Sequence, residues 1–344
     1  MGSGYNWVGA QTPPSVGQGR VALIVAGPTC SGKSALALAL ARRVGGTIIN
    51  ADSMQVYREL RILTARPGPC DEACVPHALY GVLPAARTGS VAWWREQAMA
   101  CAQAAWDAGR VPVFCGGTGM YFRALTDGLA DIPQPPDAIR AQARAMVAQL
   151  GPEGAHAELH ELDAETASTL RPADGQRIAR ALEVRLATGH GLAWWRREAV
   201  LPPLAARFIA VRLHPPRDML RAAIARRFHA MVEQGAMAEV AHLLEQGLPP
   251  DLPAMRAHGV PELAAVLRGG MTLADATARA ITLTGQYTKR QATWFAHHAL
   301  AAPAATYVYE KRFENCPNAQ QMERCDNKII SFVINCIDAG QGFP

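Results

Sequence analysis

The chain has 344 residues, 49% hydrophobic and 18% charged, with a formal net charge of +5. That balance suits a folded protein with a large core and two lobes, and excludes a disordered or fibrous chain. No apolar run reaches the roughly 18–20 residues that span a bilayer, and the modest positive charge permits a polyanionic partner without demanding one. Only four of the 34 basic residues are Lys, so Arg, the better fork for phosphate, dominates. The eight cysteines, at 30, 70, 74, 101, 115, 316, 325 and 336, lack paired Cys-x-x-Cys spacing. They read as reduced cytosolic thiols that pack as small hydrophobes.

In chain order, residues 1–20 are Gly/Pro/Gln-rich, lack the charged-then-apolar order of a signal peptide, and are expected to form a disordered leader. Short apolar runs at 21–26, 47–51, 111–115 and 208–213 predict buried strands, and the patterns at 34–44 and 91–109 predict helices between them. From Pro133 to about Pro203 the strand signal disappears, and helical stretches follow near 137–150, 152–161 and 174–188. The return of a strand at 206–213 makes 133–204 an all-helical insertion into an α/β domain built from 21–132 and 205–304. Further helices are expected at about 216–246 and 273–299. In the tail, 305–344, a strand at 306–309 and a helix at 328–337 are expected, with no readable function. The tandem pairs Trp93-Trp94 and Trp194-Trp195 are expected in core or interface.

Residues 27–34 read Gly27-Pro28-Thr29-Cys30-Ser31-Gly32-Lys33-Ser34, a full Gly-x-x-x-x-Gly-Lys-Ser phosphate loop between a predicted strand and a predicted helix. In that frame the backbone N–H groups and the positive end of the helix dipole cradle a di- or triphosphate. Lys33 would reach the terminal phosphates, and the Ser34 hydroxyl would hold Mg²⁺. At the end of the next strand comes Asp52-Ser53-Met54-Gln55, and after the strand at 111–115 comes Gly116-Gly117-Thr118-Gly119. Ligands of open α/β sheets sit beyond the carboxyl ends of the strands, so Asp52 and Thr118 are expected to face the crevice of the phosphate loop. Each, taken singly, could equally be a cap.

Together these motifs resemble the bacterial tRNA dimethylallyltransferases, also called tRNA isopentenyltransferases. The resemblance runs over about 21–298. It is carried by Gly-Pro-Thr-Cys-Ser-Gly-Lys-Ser at 27–34, Asp-Ser-Met-Gln-Val-Tyr-Arg at 52–58, Thr-Ala-Arg-Pro at 64–67 and Val-Pro-His at 75–77. Beyond these lie Gly-Gly-Thr-Gly-Met-Tyr-Phe at 116–122, Gln-Arg-Ile-Ala-Arg-Ala-Leu-Glu-Val at 176–184, Met-Arg-Ala-His-Gly-Val at 255–260 and Lys-Arg-Gln-Ala-Thr-Trp-Phe at 289–295. The chain departs from the pattern at Leu63, which replaces a Gly, at Ala223, which replaces an Arg with Arg221, Arg226 and Arg227 nearby, and at Gly285, which replaces another Arg.

The resemblance implies a P-loop NTPase-like parallel sheet, with flanking helices and an inserted helical domain. It implies transfer of a dimethylallyl group from dimethylallyl diphosphate to N6 of an adenine beside a tRNA anticodon, with Mg²⁺ as cofactor and the anticodon stem-loop as partner. No membrane association is implied, and a cytoplasmic monomer is expected. Asp52 becomes the candidate general base, Lys33 the stabiliser of the leaving group, and Thr118 the group that orients the amine or a leaving-group oxygen. Candidates for tRNA contact are Asp52, Ser53, Met54, Gln55, Thr118, Arg140, Gln176, Arg177, Ile178, Ala179, Arg180, Arg256, His258, Gly259, Lys289, Arg290, Gln291 and Trp294. Tyr121, Phe122 and Trp294 offer stacking surfaces for an adenine drawn out of the loop. The rival from the residues alone is a P-loop nucleotide or small-molecule kinase, and a second rival is a non-catalytic tRNA-binding protein.

Overall fold

The computed structural model describes residues 19–313 and 319–339, without the side chains of 319–326. All of the expected leader except Gly19 and Arg20 lies outside the described residues. In chain order the strands are β1 (Val21–Ala26), β2 (Gly46–Asn50), β3 (His77–Ala78), β4 (Val111–Gly116), β5 (Leu129–Ala130), β6 (Val200–Leu201), β7 (Arg207–Leu213) and β8 (Thr306–Tyr309). The helices begin with α1 (Lys33–Val44), α2 (Pro69–Cys74), α3 (Val91–Asp107), α4 (Gly119–Thr126) and α5 (Asp137–Leu162). They continue with α6 (Ala164–Ser168), α7 (Gly175–Thr188), α8 (Leu192–Glu198), α9 (Arg217–Glu233), α10 (Ala236–Glu245), α11 (Val260–Leu267), α12 (Leu273–His297) and α13 (Ala319–Asp338).

The chain divides into a sheet-bearing unit, which ends at Thr126 and resumes at Leu204, and a unit of its own over Asp127–Pro203. The first holds a six-stranded sheet in the order β3-β2-β4-β1-β7-β8, with every pairing parallel. A parallel strand inside such a sheet is covered on both faces, which is why β1 is a run of small and branched apolar residues rather than an alternation with polar ones. Alternate residues still point to opposite faces. Ala22, Ile24 and Ala26 join one core with Trp94, Ala98 and Phe114, and with Phe228, Leu243 and Leu263 of the later helices. Leu23 and Val25 join the other core, with Leu36 and Leu40 of α1 and Ile329 and Val333 of α13. Trp94 is fully buried, stacks on Tyr121 at 4.1 Å, and donates its indole N–H to the Asn50 carbonyl at 2.8 Å.

Two features of the sheet exceed the sequence expectation. The two-residue strand β3 is too short to leave an apolar signature, and it is fixed by parallel pairing of His77 with Ile48. The strand expected at 306–309 is the sixth of the sheet, beside β7, so that part of the tail belongs to this unit.

The Asp127–Pro203 unit packs α5 against α7 around Ala143, Ala155, Leu159, Ile178 and Leu182. The separate stretches expected at 137–150 and 152–161 form one element kinked at Gly151, where φ is +70° and Pro152 follows. The insertion expected to be all-helical also carries an antiparallel ribbon, β5 with β6, near its two ends. Two-residue strands lie below what periodicity can detect. Trp194 stacks on His190 at 4.0 Å and meets Trp195 edge-on, and the Trp195 indole N–H donates to Thr188 Oγ1. Among the described residues no helix is long and apolar enough to cross a membrane.

Candidate active site

The phosphate loop joins β1 to α1, so its N–H groups lie at the carboxyl edge of the sheet and at the start of a helix, where partial positive charge concentrates. Lys33 is the first residue of α1 and is buried; Ser34 is exposed beside it. The loop is held from α12: the Thr29 N–H donates to Gln291 Oε1 at 2.9 Å, while Gln291 Nε2 donates to the Gly117 carbonyl at 2.9 Å. A Cβ on Gly117 would lie 2.2 Å from that nitrogen, so only glycine permits the approach. One buried amide thus ties the turn after β1 to the turn after β4.

Asp52 is fixed from the other side. Asn50, fully buried at the end of β2, accepts the Asp52 N–H at 2.8 Å and donates Nδ2 to the carbonyls of Asp52 and Leu79. Asp52 Oδ1 accepts the Met54 N–H at 3.0 Å. The Ser53 N–H donates to Thr118 Oγ1 at 2.9 Å, and the Thr118 N–H donates to the Ala51 carbonyl. These bonds aim the carboxylate while leaving Oδ2 without a hydrogen-bond partner among the described residues.

Lys33, Ser34 and Asp52 open into one cavity of about 330 Å³. Its polar lining also includes Thr29, Thr64, Arg227, Arg256, His258, Tyr287 and Arg290. Its apolar lining includes Leu63, Ile224, Phe228 and Met231, all buried. Leu63 is held there by Glu239, whose carboxylate accepts the N–H groups of Arg61, Ile62 and Leu63 at 2.7, 2.6 and 3.0 Å. Arg227 donates Nη2 to the Thr64 carbonyl at 3.3 Å, and its Nη1 lies 3.7 Å from Cys30 Sγ. Ala223, where the family pattern has Arg, is buried in a small apolar cluster with Cys30, Leu220 and Ile224.

Burial, then the nearby Asp52 charge, pushes the Tyr287 phenol well up, against Arg290 and hydrogen bonding to Gln291 and Thr118. Burial lowers the pKa of His258, with Arg290 acting in the same sense and Glu262 and Asp52 opposing. Burial pushes the Cys115 thiol up to about 12, against Lys33 and a hydrogen bond with Ser34 and with Asp52 reinforcing.

A divalent cation can be tested against the donors present. Mg²⁺ takes hard oxygen ligands and keeps several waters, using one or two protein oxygens plus substrate phosphates. The Ser34 hydroxyl lines the cavity beside Lys33, and among the described residues no group of three His, Cys, Asp or Glu could cage a metal alone. That donor set fits Mg²⁺ shared with a phosphate ligand.

Several candidates are placed otherwise than expected. Gln291 is buried with both ends of its amide engaged, as a clamp between the two loops. Gln55 is buried and donates to the carbonyls of Thr64 and Ala65. Ile178 is in the core of the helical unit, while Gln176 and Arg177 are exposed and Ala179 and Arg180 half-buried. Gly259 is buried and caps α11. Tyr121 and Phe122 are buried in the main core; Trp294 is half-buried and stacks on His298 at 4.1 Å. Thr118 holds the Asp52 segment and is not among the residues lining the cavity. Lys289 is exposed on α12, and Arg140 pairs with Asp137 in the helical unit.

Sequence reasoning left out Tyr287 and the residues of α9. Both had a signal. Residues 224, 227, 228 and 231 fall at i, i+3, i+4 and i+7, as do 287, 290, 291 and 294, the spacing of one helical face.

The family described as IPP transferase matches residues 55–298, and that described as isopentenyl transferase matches 19–72. The chain belongs to the IPP transferase family. This IPP transferase is 63% identical over 325 residues to the tRNA dimethylallyltransferase of Gluconacetobacter diazotrophicus, covering 94% of this chain and 97% of that one. It is 58% identical over 320 residues to the tRNA dimethylallyltransferase of Gluconobacter oxydans, covering 93% and 96%. Its structure resembles the crystal structure of the full-length tRNA isopentenylpyrophosphate transferase from Bacillus halodurans, with a TM-score of 0.65 and 28% identity over 94% of this chain and 98% of that one.

A thiol at about 12 is ionised to only about one part in 10⁴ at pH 8, and the thiolate is the reactive form. Iodoacetamide at pH 8 should therefore label exposed Cys70 and Cys74 and spare Cys115 until the protein is unfolded. Peptide mapping checks this; labelling of Cys115 at the rate of Cys70 would contradict the packing described.

Proposed function

We propose that this IPP transferase moves a dimethylallyl group from dimethylallyl diphosphate to the exocyclic N6 of the adenosine on the 3′ side of a tRNA anticodon. The coarse reaction, dimethylallyl transfer to tRNA, follows from family membership and from relatives of that name at 63% and 58% identity. The observation that carries the finer reading is a single cavity lined by the phosphate loop, an aimed carboxylate and buried apolar side chains.

The diphosphate lies in the loop, where N–H groups and Lys33 offset the charge that grows as it leaves. Mg²⁺ held at Ser34 would supply further charge neutralisation. The five-carbon chain lies against Leu63, Ile224, Phe228 and Met231, away from water. N6 forms its bond to C1 as the C1–O bond breaks, and that bonding pair departs with the diphosphate. An exocyclic adenine amine is a weak nucleophile, so the reaction needs a base on its proton, and Asp52 takes it. Asn50, Ser53 and Thr118 act through Asp52 by fixing its direction.

In the helical unit, Arg177 and Arg180 stand three apart on α7 and are proposed to grip phosphates of the anticodon stem. Arg177 pairs with Asp174 at 3.5 Å and Arg180 with Glu183 at 3.2 Å, so RNA phosphates exchange for existing carboxylate partners. Arg140, Arg256, Lys289 and Arg290 are further candidates for the same backbone. The enzyme is proposed to act as a cytoplasmic monomer, in keeping with free thiols among the described residues.

Protein incubated with tRNA and labelled dimethylallyl diphosphate, with no ATP, should label the RNA; label that appears only with ATP would favour the kinase reading. In the same assay Asp52→Ala should lower turnover by roughly 10²–10⁴ while donor and tRNA affinities stay near wild type. Wild-type turnover in that variant would remove Asp52 as the base.

Arg177→Ala with Arg180→Ala should weaken tRNA binding and flatten its salt dependence by about 0.7–0.9 in log–log slope for each phosphate no longer neutralised. Donor binding should not change. An unaltered slope, read by filter binding at several salt concentrations, would return this face to solvated surface.

A further inference from the structure

The phosphate loop can cradle an anion only if its N–H groups converge, and this turns its carbonyls outward. Cys30 has φ of +65° and Gly32 has φ of +91°, so the turn adopts a left-handed backbone at two positions, one of them not glycine. Such a conformation persists only where the surroundings over-determine it. The partners of the outward carbonyls therefore bear on the affinity of the loop, and they come from the far end of the chain.

After β8 the chain crosses the outer side of the loop. Arg312 Nε donates to the Cys30 carbonyl at 2.9 Å, and the Phe313 N–H donates to the Ser31 carbonyl at 2.9 Å. The two are so close that a Cβ on Gly32 would lie 1.9 Å from the Phe313 carbonyl oxygen. The Phe313 ring is buried in the core that holds Leu36 of α1 and Ile329 and Val333 of α13, and it meets Tyr309 edge-on at 6.4 Å. The strap is thus anchored by an aromatic side chain on one side and spends its polar groups on the loop on the other.

We propose that Arg312 and Phe313 form a strap that sets the phosphate-loop backbone, which makes the segment after β8 part of the donor-diphosphate site. This rests on the reading that the loop binds the donor's diphosphate. Arg312 is a positioning residue: it acts on the carbonyl side of the loop, and the diphosphate meets the N–H side. Because the strap sets the loop that holds the diphosphate and not the groups that meet tRNA, its loss should raise KM for the donor and leave KM for tRNA intact.

The test uses the full chain and inorganic pyrophosphate as probe, measured by calorimetry beside steady-state kinetics with dimethylallyl diphosphate and tRNA. Arg312→Ala should weaken pyrophosphate binding about 5- to 10-fold, the usual net worth of one hydrogen bond, and raise the donor KM in step. The KM for tRNA should stay at its wild-type value, and Arg312→Lys, which keeps a charged donor, should recover part of the loss. Lys33→Ala serves as the control for the loop itself. Pyrophosphate binding that falls in Lys33→Ala but is unchanged in Arg312→Ala would overturn the strap and leave the donor reading standing. Turnover abolished in Arg312→Ala at unchanged pyrophosphate affinity would also overturn it. Wild-type protein that does not bind pyrophosphate would overturn the donor reading and the strap with it.

Discussion

The Gln291 side chain is the interaction on which the site depends. It accepts the Thr29 N–H of the phosphate loop and donates to the Gly117 carbonyl after β4. Both bonds are 2.9 Å, and the side chain is buried. Each such bond contributes about 1 kcal/mol net, yet loss of the amide would strand two backbone polar groups, at about 1–3 kcal/mol each. The penalty matters more than the gain. It holds two turns in one arrangement, and the turn after β4 in turn holds the Asp52 segment through Thr118. The phosphate loop and the Asp52 segment thereby share one frame.

Prenyl transfer places particular demands on such a frame. The donor carbon must stay between a departing anion and a weak nucleophile, since a misplacement of about 1 Å can cost a hundredfold in rate. The structure answers with fixed backbone. Asn50 is buried and fully used in holding Asp52 and Leu79, Trp94 covers it, and Glu239 fixes the turn that carries Leu63. These groups touch no ligand. They shape the cavity that does.

Much of this was legible in the sequence, because its sheet core is written in strong periodic signals. β1, β4 and β7 are apolar runs, and the phosphate loop lies in the strand–turn–helix frame that gives it meaning. The convergence of Lys33 and Asp52 followed from strand ends alone. What escaped was whatever depends on partners distant along the chain. Gln291 resembles a polar residue on a basic helix face until it is seen 262 positions from Thr29. Ile178 sits between two arginines in a basic motif, yet its side chain turns into the helical core, as the 3.6 period allows. Tyr121 and Phe122 carry rings suited to stacking, but the face of α4 they occupy is the buried one. The tail gave no functional signal because its bonds to the loop use a backbone N–H and one arginine, which no motif marks.

The frame itself can be observed by hydrogen exchange. In Gln291→Ala, mass spectrometry should show faster amide exchange both in the peptide with residues 27–34 and in the peptide with residues 50–54 and 116–118, or their separate fragments. The helical unit over 127–203 should exchange at wild-type rates. Faster exchange in only one of the two turns, or in neither, would contradict a shared frame held by one buried side chain.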